Sequence, residues 1–219
     1  MREVIVLARD DILGDAVRDI KFFRFAPVAY RGHEMLVARS GWSAQGGFEI
    51  YVDDAELGGL LYDDLMAAGA ALDIGPGCPN LIERIEAGLM TYGTDVTREH
   101  TALEAGLDKY CSLDADIDAI GIEALRLQRA TGLTRRLSGF TIDGDPVPHN
   151  RNGWDVVAGG LVVGSITSAV WSPRLQTNVG LGMLPIEHTV IGTRVEVAVP
   201  GGVRAAAVVE VPFPGSSQR

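Results

Sequence analysis

The sequence predicts an α+β fold that ends in a β-rich domain. Three observations carry that prediction. Helical and strand-like periodicities are interleaved over the first 132 residues. The composition changes at Gly132, after which valine, glycine and threonine dominate and strand-like runs recur. The length, 219 residues, accommodates one or two domains of ordinary size. The boundaries read as 1–132 for a mixed domain, 133–214 for the β-rich domain and 215–219 for a frayed tail.

Taken in order, Val4–Ala8 has the apolar run of a buried strand. Asp11–Ile20 has helical spacing, with Ile12, Ala16 and Ile20 at i, i+4 and i+8. Phe22–Tyr30 and Glu34–Ala38 flank Arg31-Gly32-His33, a hairpin turn. Gly47–Val52 alternates: Phe48, Ile50 and Val52 share one face, Glu49 and Tyr51 the other. Asp54–Ala70 is amphipathic at helical period. Gly75-Pro76-Gly77-Cys78-Pro79 breaks the chain, and Pro79 suits the first position of a helix running to about Met90. A further helix over Gly121–Ala130 stops near Gly132. In the β-rich part, strands are expected at Leu137–Ile142, Leu161–Thr167, Arg194–Val199 and Val203–Val211, the last two joined by Pro200-Gly201-Gly202.

Composition excludes several classes. Hydrophobic residues make up 47 % and charged residues 22 %, enough apolar surface for a core. The net charge of −10 repels phosphate backbones, which argues against a nucleic-acid partner. No stretch reaches the roughly 18 apolar residues of a membrane span, so no membrane association is expected. The short apolar run before Arg9-Asp10-Asp11 lacks the features of a secretory signal, and two cysteines, Cys78 and Cys111, suit a reducing compartment. A cytoplasmic location is therefore expected. His33, His100, His149 and His188 have no metal-ligand spacing, so no metal is expected. Gly180-Leu181-Gly182 begins like a dinucleotide fingerprint, but Pro185 stands where a third glycine belongs; a turn and strand is the better reading. Arg126, Arg129, Arg135 and Arg136 read as a solvated helix face, with an anionic ligand tail as the alternative. Asp95 and Glu104 read as loop caps.

Four segments in order carry a family resemblance: Arg39-Ser40-Gly41-Trp42 through Gly47-Phe48-Glu49-Ile50, Glu83 through Asp95, Gly132 through Phe140, and Gly164 through Pro173. Together they resemble the folate-dependent aminomethyltransferases, the glycine cleavage T-protein superfamily, over about residues 10–212. Lys21-Phe22-Phe23-Arg24-Phe25, Ser40-Gly41-Trp42-Ser43 and Pro79 through Glu86 are most similar to its dimethylsulfoniopropionate demethylase branch, although Ala44 stands where that branch has lysine. The resemblance implies a partial folate-binding region followed by a small C-terminal antiparallel β-barrel, with Trp171 packing at the barrel edge. Family members carry a long segment before the matched region. The expected partners are therefore a small-molecule methyl donor and either an N-terminal-half chain or a second copy, docking along the Val4–Ala8 edge.

The implied cofactor is tetrahydrofolate, and the implied reaction moves a sulfonium methyl to its N5. Aminomethyl transfer of the glycine-cleavage type and a folate-binding remnant without activity are the alternatives. The iron–sulfur-assembly branch ranks last, because it carries lysine-glycine-cysteine-tyrosine where this chain has Ser40-Gly41-Trp42. A pterin presents an amino group and an adjacent ring N–H as parallel donors, which a carboxylate matches. Glu49, following Gly46-Gly47 and facing away from the core side of its strand, is the candidate anchor; a solvated carboxylate is the plain alternative. Trp42 stacks on the pterin or faces a methyl-bearing cation, a contact worth about 0.5–2 kcal/mol, or else packs in the core. Arg84 lies opposite the apolar Leu81, Ile82, Ile85 and Leu89. It is expected to hold a folate carboxylate or orient Glu49, or to make a surface ion pair with a helix glutamate. Tyr92 lines the same pocket or packs. No catalytic acid or base can be named.

Overall fold

The computed structural model describes residues 12–40, 47–77, 81–148, 150 and 152–215. They fall into two compact units, one within Met1–Asn80 and the other Leu81–Ser216.

The first unit is built on three antiparallel strands, β1 (Phe25–Tyr30), β2 (His33–Ala38) and β3 (Glu49–Tyr51), in the order β1-β2-β3. The β1–β2 turn is only Arg31-Gly32, with φ of 48° and 81°. Two left-handed residues give the mirror-image turn whose twist matches that of the strands, and glycine takes the second position without strain. The turn is thus one residue shorter than the Arg31-Gly32-His33 expected. Val28, Tyr30, Met35 and Val37 point inward and pack with Leu57 and Leu61 of helix α1 (Ala55–Ala68). Asp54 caps α1 by accepting the Leu57 N–H at 2.7 Å. The Tyr30 hydroxyl and the Arg31 guanidinium both donate to Asp64 of α1, at 2.6 and 2.9 Å, tying hairpin to helix.

One expected helix does not form as such. Among the described residues of the expected helix Asp11–Ile20, Ile12 and Leu13 are helical, Gly14 at φ 72° interrupts the run, and a short 3-10 turn, Asp15–Val17, follows. An interior glycine disfavours a helix by about 1 kcal/mol, and the looser path still buries Leu13, Val17 and Ile20. The expected strand Val4–Ala8 and the tail at 216–219 lie outside the described residues.

The second unit contains helix α2 (Leu81–Glu86), helix α3 (Ile122–Thr131) and six strands: β4 (Arg135–Ile142), β5 (Trp154–Ala158), β6 (Leu161–Ser172), β7 (Thr177–Pro185), β8 (Arg194–Val199) and β9 (Gly202–Val209). Gly88 at φ 69° stops α2 well short of Met90, and Gly132 at φ 89° stops α3. The strands close into an antiparallel barrel in the order β4-β7-β6-β5-β8-β9, with β9 returning to β4. The expected α+β fold with a C-terminal barrel is therefore what forms. Phe140, Ile142, Val156, Ile166 and Val197 fill its core.

Strand β7 is buried on both faces. Val179 and Leu181 pack with Ile85 of α2 and Phe213, while Leu184 belongs to the barrel core. Gly180 and Gly182 lie mid-strand, so the apparent nucleotide fingerprint is a strand. A Cβ at Gly182 would lie 2.4 Å from the Ser165 carbonyl oxygen and 2.8 Å from the Ile166 Cα. Close approach of two backbones, rather than phosphate binding, calls for glycine here. On β6 the pairing slips between Ile166↔Gly182 and Ser168↔Leu181, which leaves Thr167 as a bulge.

Gly182→Ala is expected to destabilise the chain by about 1–3 kcal/mol, because the obstructing atoms are backbone. Urea unfolding measures this; an unchanged midpoint would mean that β6 backs away freely.

Candidate functional site

In the first unit, Glu49 is exposed on the outer face of β3. The cross-strand rows on that face are Phe25, Ala38 and Glu49, then Pro27, Leu36 and Tyr51. Phe25, Leu36 and Tyr51 are exposed, so the face is a largely apolar platform with a carboxylate at one edge. Ser40 donates its hydroxyl to Glu49 Oε2. Phe48, Ile50 and Val52 pack toward the core, as their alternation requires. Trp42 lies outside the described residues.

In the second unit, the side of α2 that carries Arg84 is itself buried. Arg84 is 3 % exposed and Glu86 is 5 % exposed, because the end of β6 covers them. The Ser172 hydroxyl and the Arg174 guanidinium both donate to Glu86. Arg84 does form an ion pair, but not the surface pair with a helix glutamate given as the alternative. The pair lies in the interior, and the partner is Asp95 of the following turn. Arg84 Nη1 donates to Asp95 Oδ2 at 2.8 Å and to the Leu89 carbonyl at 3.1 Å. Arg84 Nη2 donates to Ser168 Oγ at 2.6 Å, and Ser168 Oγ donates in turn to Asp95 Oδ1 at 2.5 Å. Thr167 Oγ1 donates to the same oxygen at 2.6 Å, and the Thr91 N–H reaches Oδ2 at 2.8 Å. Asp95 does cap its turn as expected, but as the centre of a fully buried charge network. Tyr92 sits in that turn and is 67 % exposed.

Glu104 likewise combines a cap with an ion pair. It accepts the Thr101 N–H at 2.9 Å and the Arg135 guanidinium at 3.1 Å. Burial alone would push its pKa up; the Arg135 bond, the Thr101 amide and the nearby Arg135 and His100 charges outweigh it and hold the carboxyl below the ordinary 4.5. The four arginines are engaged in the same way. Arg129 pairs with Asp114, Arg136 with Asp108 and Arg135 with Glu104. Arg126 donates to Glu123 and to the Leu113 and Ala115 carbonyls. Among the described residues no cluster of three or more His, Cys, Asp and Glu side chains is placed to hold a metal ion. No described helix is long and apolar enough to cross a membrane.

The sequence reading singled out Glu49, Arg84, Tyr92 and Trp42 but left Asp95 as an ordinary cap. A buried carboxylate in a turn has no periodicity to reveal it. The hydroxyls that hold it, Thr167 and Ser168, are distant in sequence.

A mixed sheet-and-helix region leading into a closed six-stranded antiparallel barrel places the chain in the T-protein fold class. The crystal structure of the glycine cleavage system aminomethyltransferase T from Bartonella henselae superposes with a TM-score of 0.71, over 96 % of this chain and 56 % of that one, at 22 % identity. Residues 7–115 match the GCVT N-terminal domain family, and residues 135–214 match the glycine cleavage T-protein C-terminal barrel domain. The chain belongs to the aminomethyltransferase family. It is 47 % identical to the dimethylsulfoniopropionate demethylase of Ruegeria pomeroyi over 91 % of this chain and 54 % of that protein. It is 38 % identical to the aminomethyltransferase of Symbiobacterium thermophilum, over 84 % of this chain and 49 % of that protein. With the aminomethyltransferase of Oceanobacillus iheyensis the identity is 36 %, over 90 % of this chain and 54 % of that protein. The chain spans about half the length of the curated relatives it matches.

Two outcomes follow from these buried pairs. Asp95→Ala leaves the Arg84 charge without its counter-ion and is expected to cost about 3–5 kcal/mol in urea unfolding; a loss under 1 kcal/mol would contradict the network. Because the folded-state pKa of Glu104 is lowered, its stabilisation is present above the ordinary value and is lost as pH falls through the folded one. Wild type should therefore lose stability below about pH 4.5 more steeply than Glu104→Gln, as read from unfolding midpoints against pH.

Proposed function

We propose that this chain supplies the pterin-anchoring portion of a tetrahydrofolate-dependent one-carbon transferase. It acts on a small methyl donor, in the manner of the sulfonium demethylases, together with polypeptide equivalent to the rest of its relatives. An N-terminal-half chain would provide that polypeptide; the alternative partner is a second copy of this chain. The observation that carries this reading is the exposed Glu49 carboxylate at the edge of an apolar sheet face.

The residues suit the cofactor. A carboxylate has about four lone-pair sites, and the Ser40 hydroxyl takes one of them. The remainder match the paired N–H donors of a pterin edge, while Tyr51 and Leu36 offer apolar surface for a flat ring. When bound, tetrahydrofolate supplies N5 as the one-carbon acceptor. The task of the protein residues is alignment: Glu49 fixes the ring and Ser40 fixes Glu49, while the family resemblance alone assigns Trp42 to the ring or the cationic donor. In the second unit, taken by itself, Tyr92 offers an exposed ring from a held turn as a further contact for folate. Arg84 acts behind it through Asp95, since its guanidinium is buried.

The 47 % identity to a demethylase, against 38 % and 36 % to aminomethyltransferases, favours a sulfonium methyl over an aminomethyl group. Calorimetric titration with tetrahydrofolate tests the anchor. Glu49→Ala is expected to weaken binding at least tenfold, about 1.4 kcal/mol. Equal affinity in both proteins would remove Glu49 from the site.

A further inference from the structure

We propose that Asp95 is a positioning residue for Tyr92, and that the bulge at Thr167 is what allows it to act. The proposal rests on the reading above that Tyr92 contacts folate. Tyr92 is displayed on a turn rather than packed. The turn is closed by the Gly93 N–H on the Val96 carbonyl at 2.7 Å and the Asp95 N–H on the Thr91 carbonyl at 2.8 Å. Asp95 Oδ2 then returns to the Thr91 N–H, so one side chain grips the backbone immediately before Tyr92. The other oxygen, Oδ1, is held by two consecutive residues of β6, Thr167 and Ser168. In a regular strand, neighbouring side chains point to opposite faces, and only one could reach that oxygen. The register slip at Thr167 removes this restriction. The turn that displays Tyr92 is thereby fastened to a closed barrel. A buried charge network is a costly way to hold a surface turn, and the exposed ring is what it holds in place.

The test uses the full chain and a mild substitution, Thr167→Val, which keeps the Arg84–Asp95 pair and Ser168. Chymotrypsin cleaves after exposed aromatic residues, so its rate at Tyr92 under native conditions reports the turn, and its rate at Tyr110 serves as the control. Thr167→Val is expected to raise cleavage at Tyr92 about fivefold without changing Tyr110. It should also weaken tetrahydrofolate binding about three- to tenfold, with Thr167→Ser restoring both readouts. In a Tyr92→Ala background, Thr167→Val should cause no further loss of affinity. Unchanged cleavage at Tyr92 would overturn the claim that the bulge holds the turn. Equal affinity losses in both backgrounds would overturn the positioning role. If Tyr92→Ala binds as tightly as wild type, or wild type binds no tetrahydrofolate, the functional reading fails and takes the positioning role with it. The cleavage rates still report separately whether Asp95 and the bulge fix the turn.

Discussion

The second unit depends on one buried ion pair. Arg84 and Asp95 lie close in sequence, yet both are almost wholly removed from water. Such a pair repays its desolvation only when the remaining donors and acceptors are satisfied. Here Ser168 closes a ring between the two charges, Thr167 and the Thr91 amide add donors, and the Leu89 carbonyl takes another guanidinium hydrogen. Every one of those partners belongs to α2, the turn after it, or β6. The network therefore decides where α2 lies on the barrel and what shape the following turn takes.

The barrel makes the network geometrically available. Glycine at 182 lets β7 approach β6 closely, and the slipped register beside it turns two adjacent hydroxyls toward one carboxylate. The same close approach leaves Val179 and Leu181 on the outer face of β7, where Ile85 and Phe213 cover them. Packing and electrostatics thus meet on α2: its apolar side rests on β7 and its charged side on β6. A short helix of low intrinsic stability is fixed by both.

Much of this was legible in the sequence, and the misses have physical causes. Elements with a strong local signature were read well: the amphipathic α1, α3 between two glycines, the β1–β2 and β8–β9 hairpins, and the alternation that exposes Glu49. Helical spacing over Asp11–Ile20 misled because a glycine mid-pattern let the chain bury the same side chains by a looser path. Strand β5 gave no usable signal, and the glycines of β7 gave an ambiguous one, since both are specified by neighbours across the sheet rather than along the chain. Arg84 was placed on a polar helix side because a six-residue helix shows its apolar side in sequence but not what covers the other. The surroundings of Asp95 come from residues about 70 positions away.

The function argued for this chain turns on the outer face of the three-stranded sheet. Family membership sets the class of chemistry expected, and the proposal assigns recognition to the exposed carboxylate beside Tyr51. The most direct measurement is amide hydrogen exchange of the chain with and without saturating tetrahydrofolate. The account predicts slower exchange in β2 and β3. Unchanged exchange in β3, or protection confined to the barrel strands, would contradict it.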